Sequence, residues 1–351
     1  VHLPGRLQDL APRLVRFVLK AERFLVERAP VPLTGGRWCV GFSGGLDSTA
    51  LLAFAALLAP RHGALVLAAH FDHRLRPESG QDAAHCAAVC RELGIPLVTA
   101  SGDVAAFAAA RGLGLEEAGR ELRYDFFRKV LAEPGACLLL LAHHAGDLAE
   151  DQLLRLVRGT GWPELGGMAA ARADLPVVRP FLLTPRRAIE GFVTGLALPW
   201  REDASNLARD RRRNRLRHEV LPLLQKENPS LAATSARLWR LADIDRDYFD
   251  QQLSAFPLTE PGPDGCFELH RALLAGLHPA LRLRLYKAVM ARLGPGQVRV
   301  ETLLGLDAAL SSGAEGKVFQ LPGGKSALLG KRTVIFRPAG YSGIDSRQHE
   351  R

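Results

Sequence analysis

Three groups of residues have types and spacings suited to chemistry. The first is Phe42-Ser43-Gly44-Gly45-Leu46-Asp47-Ser48-Thr49, which closes a short apolar run and opens a helical pattern reaching Leu58. Two glycines let the backbone turn tightly, so several N–H groups can converge on an anion. The helix N-terminus adds positive potential, and Ser43 and Ser48 add hydroxyls. With no lysine here, the segment departs from the Gly-Lys-Ser/Thr ending of a Walker-type loop. Asp47 would repel a phosphate unless a cation intervened, so Asp47 is expected to hold Mg2+, with Ser43, Gly44, Gly45, Leu46, Asp47 and Ser48 around the phosphates of a nucleotide. A capped helix after a glycine turn is the structural alternative; the order strand, loop, helix favours the nucleotide.

The second group is His143-His144 with Asp147 and Glu150 beyond it. Spacing of i and i+3 puts both carboxylates on one helical face, where they could bind an ammonium, ligate magnesium or take a proton. A helix N-terminus favours acids in any case. The third group is basic: six of the nine residues from Arg209 to Arg217 are arginine, including Arg211, Arg212, Arg213, Arg215 and Arg217. Such a run suits either a solvated helix or an RNA backbone. His70 and His73 flank the end of the second apolar run, where they could meet a nucleoside or simply pack. Arg120 and Arg123 share a helix with Tyr124 and Phe127, and could contact phosphate or pair with Glu116 or Glu117.

These groups need elements to hold them. Helical spacing from Leu7 to Arg28 predicts a leading helix that ends at the Ala29-Pro30-Val31-Pro32 breaker. Apolar runs at Trp38 to Phe42, Ala64 to His70, Pro96 to Ala100 and Ala136 to Ala142 alternate with helical patterns from about Thr49, Gln81 and Leu115. This alternation predicts an α/β domain with a parallel sheet, its ligands lying beyond the carboxyl ends of the strands. After Pro222 the alternation gives way to helical patterns at Ser235 to Leu253, Pro279 to Leu293 and Val300 to Leu310, with strand-like segments at Lys317 to Leu321 and Thr333 to Phe336. The expected division is a catalytic domain over 1–222, a smaller, mainly helical domain over 223–338, and a disordered tail over 339–351. Gly323-Gly324-Lys325-Ser326 mimics the end of a Walker loop, but Phe319 stands where the leading glycine is required, so it is read as a hairpin turn.

Composition bounds the rest. At 351 residues with 47% hydrophobic and 24% charged, the chain suits about two globular domains, and no apolar stretch suits a membrane span. The first residues lack the pattern of a signal peptide, which predicts a cytoplasmic protein. The five cysteines include no Cys-x-x-Cys pair; Cys86 and Cys90, on one helix face, are expected to be packed rather than to bind metal. A net charge of +9 suits a polyanionic partner, and arginine supplies 39 of the 46 basic residues, through phosphate recognition or compositional bias.

Ser43-Gly44-Gly45-Leu46-Asp47-Ser48 after a strand resembles the pyrophosphate loop of the N-type ATP pyrophosphatases, the PP-loop superfamily. A narrower resemblance, to the tRNA(Ile)-lysidine synthetases, is carried by several further segments. These are His70 to Ser79, Glu117 to Phe127, His143 to Glu150, Leu153 to Gly159, Arg179-Pro180, Trp200 to Asn206 and Arg213 to Arg217, in order across residues 37 to 222. The resemblance implies that ATP adenylates C2 of the wobble cytidine in a CAU anticodon and that L-lysine then displaces AMP. It assigns Asp147 and Glu150 to lysine and the reaction centre, Arg120 to phosphate or the intermediate, and the C-terminal part to tRNA; His70 is the candidate for the nucleotide, with His73 left open beside it. Gly146 and Leu148 depart from the usual His-His-x-Asp-Asp-Gln-Ala-Glu form. A homodimer is left open by the sequence. Cytidine thiolation would need Cys-x-x-Cys pairs for an iron–sulfur cluster. Amide-forming synthetases would leave the segment at His70 unexplained, and a non-catalytic RNA-binding module would turn over no ATP.

Overall fold

The central strand is built from Arg37-Trp38-Cys39-Val40-Gly41, whose middle three residues are buried on both faces, as a continuous apolar run requires. It belongs to a computed structural model that describes residues 3–75, 79–172, 175–201, 212–256, 261–296 and 298–341, with backbone alone at Ala136, Cys137, Arg212 and Arg213. Chain order is α1 (Pro12–Arg28), β1 (Arg37–Gly41), α2 (Leu46–Leu58), β2 (Leu65–Asp72), α3 (Ser79–Leu93), β3 (Leu97–Ser101), α4 (Val104–Arg111), α5 (Leu115–Ala132), β4 (Ala136–Leu140) and α6 (Ala145–Val157). Beyond these lie β5 (Ala171–Arg172), β6 (Val177–Val178), α7 (Arg186–Gly195), α8 (Arg212–Arg215), α9 (Leu221–Glu227) and α10 (Leu231–Ser254). The expected leading helix begins only at Pro12, where the missing proline N–H is harmless; Leu7–Asp9 forms a separate 3-10 turn.

The sheet order is β3-β2-β1-β4-β6-β5, parallel except for β5, which runs antiparallel to β6. From β1 the chain steps outward through β2 to β3, then returns to lay β4 on the other side of β1. Strand order therefore reverses between β1 and β4, and a crevice opens beyond their carboxyl ends. Helix α2, which leaves β1 directly, is buried along nearly its whole length. It packs in one core with Leu14 and Val18 of α1 and Ile189, Phe192 and Val193 of α7. A helix apolar on all sides is held on all sides, which fixes its N-terminus at the crevice.

The chain divides into two compact units, Val1–Leu154 with Gly167–Arg237, and Arg155–Gly166 with Leu238–Arg351. In the second, β7 (Phe267–His270), α11 (Arg271–Ala275), α12 (Pro279–Arg292), α13 (Val300–Ser311), β8 (Val318–Leu321), β9 (Lys325–Leu329) and β10 (Thr333–Arg337) form helices beside an antiparallel sheet of order β7-β10-β9-β8. Both strand-like segments are strands, and β7 and β9 are additions to the sequence reading. The β8–β9 turn is the expected hairpin, with Gly323 at φ 76° and Gly324 at φ 71°. Lys325 is buried and donates to the carbonyls of Met290, Gly294 and Pro295 at 3.1, 2.7 and 2.9 Å, so it closes the end of α12. Residues 342–351 of the expected tail lie outside the described residues. No described helix is long and apolar enough to cross a membrane.

Candidate active site

At the end of β1 the backbone turns through Gly44, in the left-handed region at φ 79°. A Cβ there would meet His85 and Cys86 of α3 at 3.0 and 3.1 Å, so both conformation and space call for glycine. The turn is pinned by serine hydroxyls: Ser48 Oγ accepts from the Ser43 N–H at 3.2 Å, donates to the Gly45 carbonyl at 3.0 Å and lies 3.1 Å from Ser43 Oγ. Gly45, at the N-cap of α2, gives no side-chain cap, which leaves the first N–H groups of the helix for an anion. The Leu46 side chain is buried in the core, so this residue can meet a ligand only through its main chain. Arg201 straps the loop from outside, its N–H donating to the Gly44 carbonyl at 3.0 Å.

Across the crevice, β4 runs into α6, bringing His144 and Asp147 opposite Asp47. His144 Nδ1 accepts from the Gly146 N–H at 2.9 Å, so Nε2 carries the ring hydrogen. That Nε2 lies 3.7 Å from Asp47 Oδ2 and 3.7 Å from Asp147 Oδ2, midway between loop and acid pair. Gly146 is what permits this: a Cβ there would stand 2.6 Å from His144 Cε1. The departure from the family's first aspartate thus seats the histidine against its own helix turn. Leu148, the second departure, is fully buried; a Cβ on Gly167 would come within 2.6 Å of it.

Asp47 and Asp147 are driven apart in acidity. Burial raises the Asp47 pKa, His144 lowers it and Asp147 raises it further, leaving it above the usual aspartate value. For Asp147 burial also raises the pKa, but His144, His143, the His144 N–H at 2.9 Å and Arg217 outweigh it, and the net direction is down. Asp47 Oδ1 is buried with no hydrogen-bond partner. An orphaned carboxylate oxygen beside a phosphate-shaped loop fits one protein ligand of Mg2+, which takes most of its other ligands from phosphates and water. Among the described residues no group of three or more His, Cys, Asp or Glu converges as a metal site.

The remaining expected residues fall in two places. Glu150, 4% exposed, receives Arg217 through Nε at 2.5 Å and Nη2 at 2.9 Å, and the same Nη2 lies 3.2 Å from Asp147 Oδ1. Arg217, grouped by sequence with the RNA-facing arginines, thus turns its guanidinium onto the acid pair. Arg215 is exposed on α8, while Arg211 and the side chains of Arg212 and Arg213 lie outside the described residues. Arg120 sits over the Tyr124 ring at 5.0 Å, with Arg172 at 5.7 Å. His70 stands at the base of the loop: Nδ1 is 2.9 Å from the Phe42 carbonyl, while Nε2 is buried without a partner. His73 lies where a Cβ on Gly119 would come within 3.2 Å, so it packs α5 against β2.

Two contributors were missed by sequence reasoning. His144 was seen only as part of a pair, and its bridging place stems from Gly146. Arg179, just past β6, is buried and donates to His143 Nδ1 at 3.2 Å, to the Ala169 carbonyl at 2.8 Å and to the Tyr124 hydroxyl at 3.4 Å. Burial lowers its pKa, and Arg120 and Arg172 lower it further. Arg179-Pro180 enters the sequence reading only as a segment of the family resemblance, with no role given to the arginine.

A family model described as a PP-loop domain matches residues 15–224. The tRNA(Ile)-lysidine synthase of Nitratidesulfovibrio vulgaris is 43% identical over 314 residues, 85% of this chain and 90% of that protein. That of Thermotoga maritima is 34% identical over 217 residues, 62% of this chain but only 52% of that protein, so the chain spans about half of it. Among solved structures, the U34-tRNA thiolase NcsA from Methanococcus maripaludis aligns with 65% of this chain and 79% of its own at 16% identity and a TM-score of 0.48. The loop, the acid pair and the alignment along nearly the full length of the Nitratidesulfovibrio relative place the chain in the PP-loop superfamily and, within it, in the tRNA(Ile)-lysidine synthase family.

Proposed function

We propose that this protein ligates L-lysine to C2 of the wobble cytidine of tRNA(Ile) with a CAU anticodon, through an adenylated cytidine, releasing pyrophosphate and AMP. The observation that carries the reading is the apposition of Asp47 and Asp147 about His144, each carboxylate 3.7 Å from Nε2, at the reversal of strand order. ATP phosphates lie on the Ser43–Ser48 loop and the N-terminus of α2. Asp47 would hold Mg2+, which supplies charge neutralisation for the departing pyrophosphate. Arg120 faces the phosphate of the adenylated intermediate. Asp147 and Glu150 bind the lysine ammonium and receive its proton, because only the free amine can attack C2.

Residues 1–222 carry the chemistry in this reading. Residues 223–338, with Arg211, Arg212, Arg213 and Arg215, hold the tRNA by its backbone. Family membership and the net charge of +9 support a tRNA substrate and a cytoplasmic setting. Pyrophosphate release tests the reading. It should require ATP, Mg2+ and the CAU tRNA, proceed without lysine, and be followed by AMP release only when lysine is added. Release with no tRNA present would count against it.

A further inference from the structure

The two carboxylates given to lysine are already engaged by a cation of the chain itself. Arg217 grips both oxygens of Glu150, at 2.5 and 2.9 Å, and reaches Asp147 at 3.2 Å. A forked guanidinium on a buried carboxylate is a strong charge-assisted contact. It occupies the acceptors that an ammonium would need, and two cations would repel each other there. Amine and Arg217 are therefore competitors for one site.

The element presenting Arg217 departs from regular helix. Leu216–Val220 is a π-helical turn between α8 and α9, closed by the Leu221 N–H on the Leu216 carbonyl. Pro222 follows directly and has no N–H to give to the carbonyl four residues back, so regular α-helical bonding is interrupted there. Loss of the extra residue of a π turn would rotate α8 by about 100° relative to α9, enough to swing Arg217 off the acids. The same helix begins with Arg212 and Arg213 and carries exposed Arg215. A polyanion drawn to those arginines pulls on the element that holds Arg217.

We propose that Arg217 determines when the amine site opens: it stands in for the lysine ammonium until tRNA engages the helix from Arg212 to Arg217, so lysine is admitted only after the RNA. This rests on the assignment of Asp147 and Glu150 to lysine. With the site filled in the absence of tRNA, apparent lysine affinity falls to its intrinsic value multiplied by the fraction of molecules that are open.

Binding of labelled L-lysine to the full chain, by equilibrium dialysis with and without the CAU tRNA, tests the proposal. The wild type should bind lysine about tenfold or more tightly when tRNA is present. Arg217→Ala should bind lysine without tRNA as tightly as the wild type does with it, and Arg217→Lys should fall between. Equal wild-type affinity with and without tRNA would overturn the proposal, as would an Arg217→Ala protein, native by circular dichroism, that binds no better than the tRNA-free wild type. Adding Glu150→Gln to Arg217→Ala separates the two ideas: loss of the gained binding supports both, whereas its survival would show that lysine sits elsewhere. Hydrogen exchange across Leu216–Leu221 of the wild type reads the turn independently of any variant. Protection that does not change on adding tRNA would also overturn the gate.

Discussion

Replacing Glu150 by glutamine keeps the volume of the side chain and removes its charge. Glu150 is 4% exposed, so neither water nor salt screens what it does to a bound ammonium. A hydrogen bond to a charged group is worth about 1.5–3 kcal/mol, and about 1.4 kcal/mol is tenfold in an equilibrium constant. Glu150→Gln should therefore raise the lysine requirement by about ten- to 150-fold. Adenylation needs the loop and the cytidine rather than this carboxylate, so it should survive. The assay traps the adenylated tRNA from labelled ATP without lysine, then tracks its decay against lysine concentration. Because tRNA is present in the trapped species, the assay reads the loss in the state in which the proposed Arg217 gate is open. Loss of trapping, with unaltered lysine dependence in whatever intermediate forms, would refute the assignment and move Glu150 to the metal.

Gly146→Asp, which restores the acid common in the family, places a Cβ 2.6 Å from His144 Cε1 and should displace that ring, costing about 1–3 kcal/mol by thermal or urea unfolding and slowing adenylation. Neutralising two of Arg211, Arg212 and Arg213 should flatten the salt dependence of tRNA binding by about one unit of log slope per lost phosphate contact. Lysine affinity measured on the tRNA-bound enzyme should not move. The lowered Asp147 pKa means that its contribution to stability is complete above the ordinary aspartate value of roughly 4 and is lost as pH falls through its folded value. Asp147→Asn should accordingly flatten the loss of stability below about pH 4 in a series of urea melts.

The parts written locally were the legible ones. Trp38-Cys39-Val40 reads as a buried strand because all three are apolar, and the glycines and serines after it allow little but a tight anion-binding turn. Asp147 and Glu150 share a face by helical spacing alone. The partners of those groups come from far along the chain. Arg217 lies 67 residues beyond Glu150, and no periodicity says that this arginine, of six in its run, turns inward. The place of His144 depends on the space left by Gly146, which registers in sequence only as a missing acid. Strand β5 has two residues and β7 four, too short for alternation to register, and β9 opens on a lysine whose burial comes from the carbonyls it closes.

The most direct measurement is the mass of the wobble nucleoside after incubation of the CAU tRNA with ATP, Mg2+, isotopically labelled lysine and either wild-type or Asp47→Ala protein. With the wild type, the cytidine should gain one labelled lysine with loss of water. With Asp47→Ala, native by circular dichroism, the yield should fall by about 100-fold or more, since the group that stabilises the developing charge is gone. An unmodified cytidine with the wild type, or undiminished product with Asp47→Ala, would contradict the site.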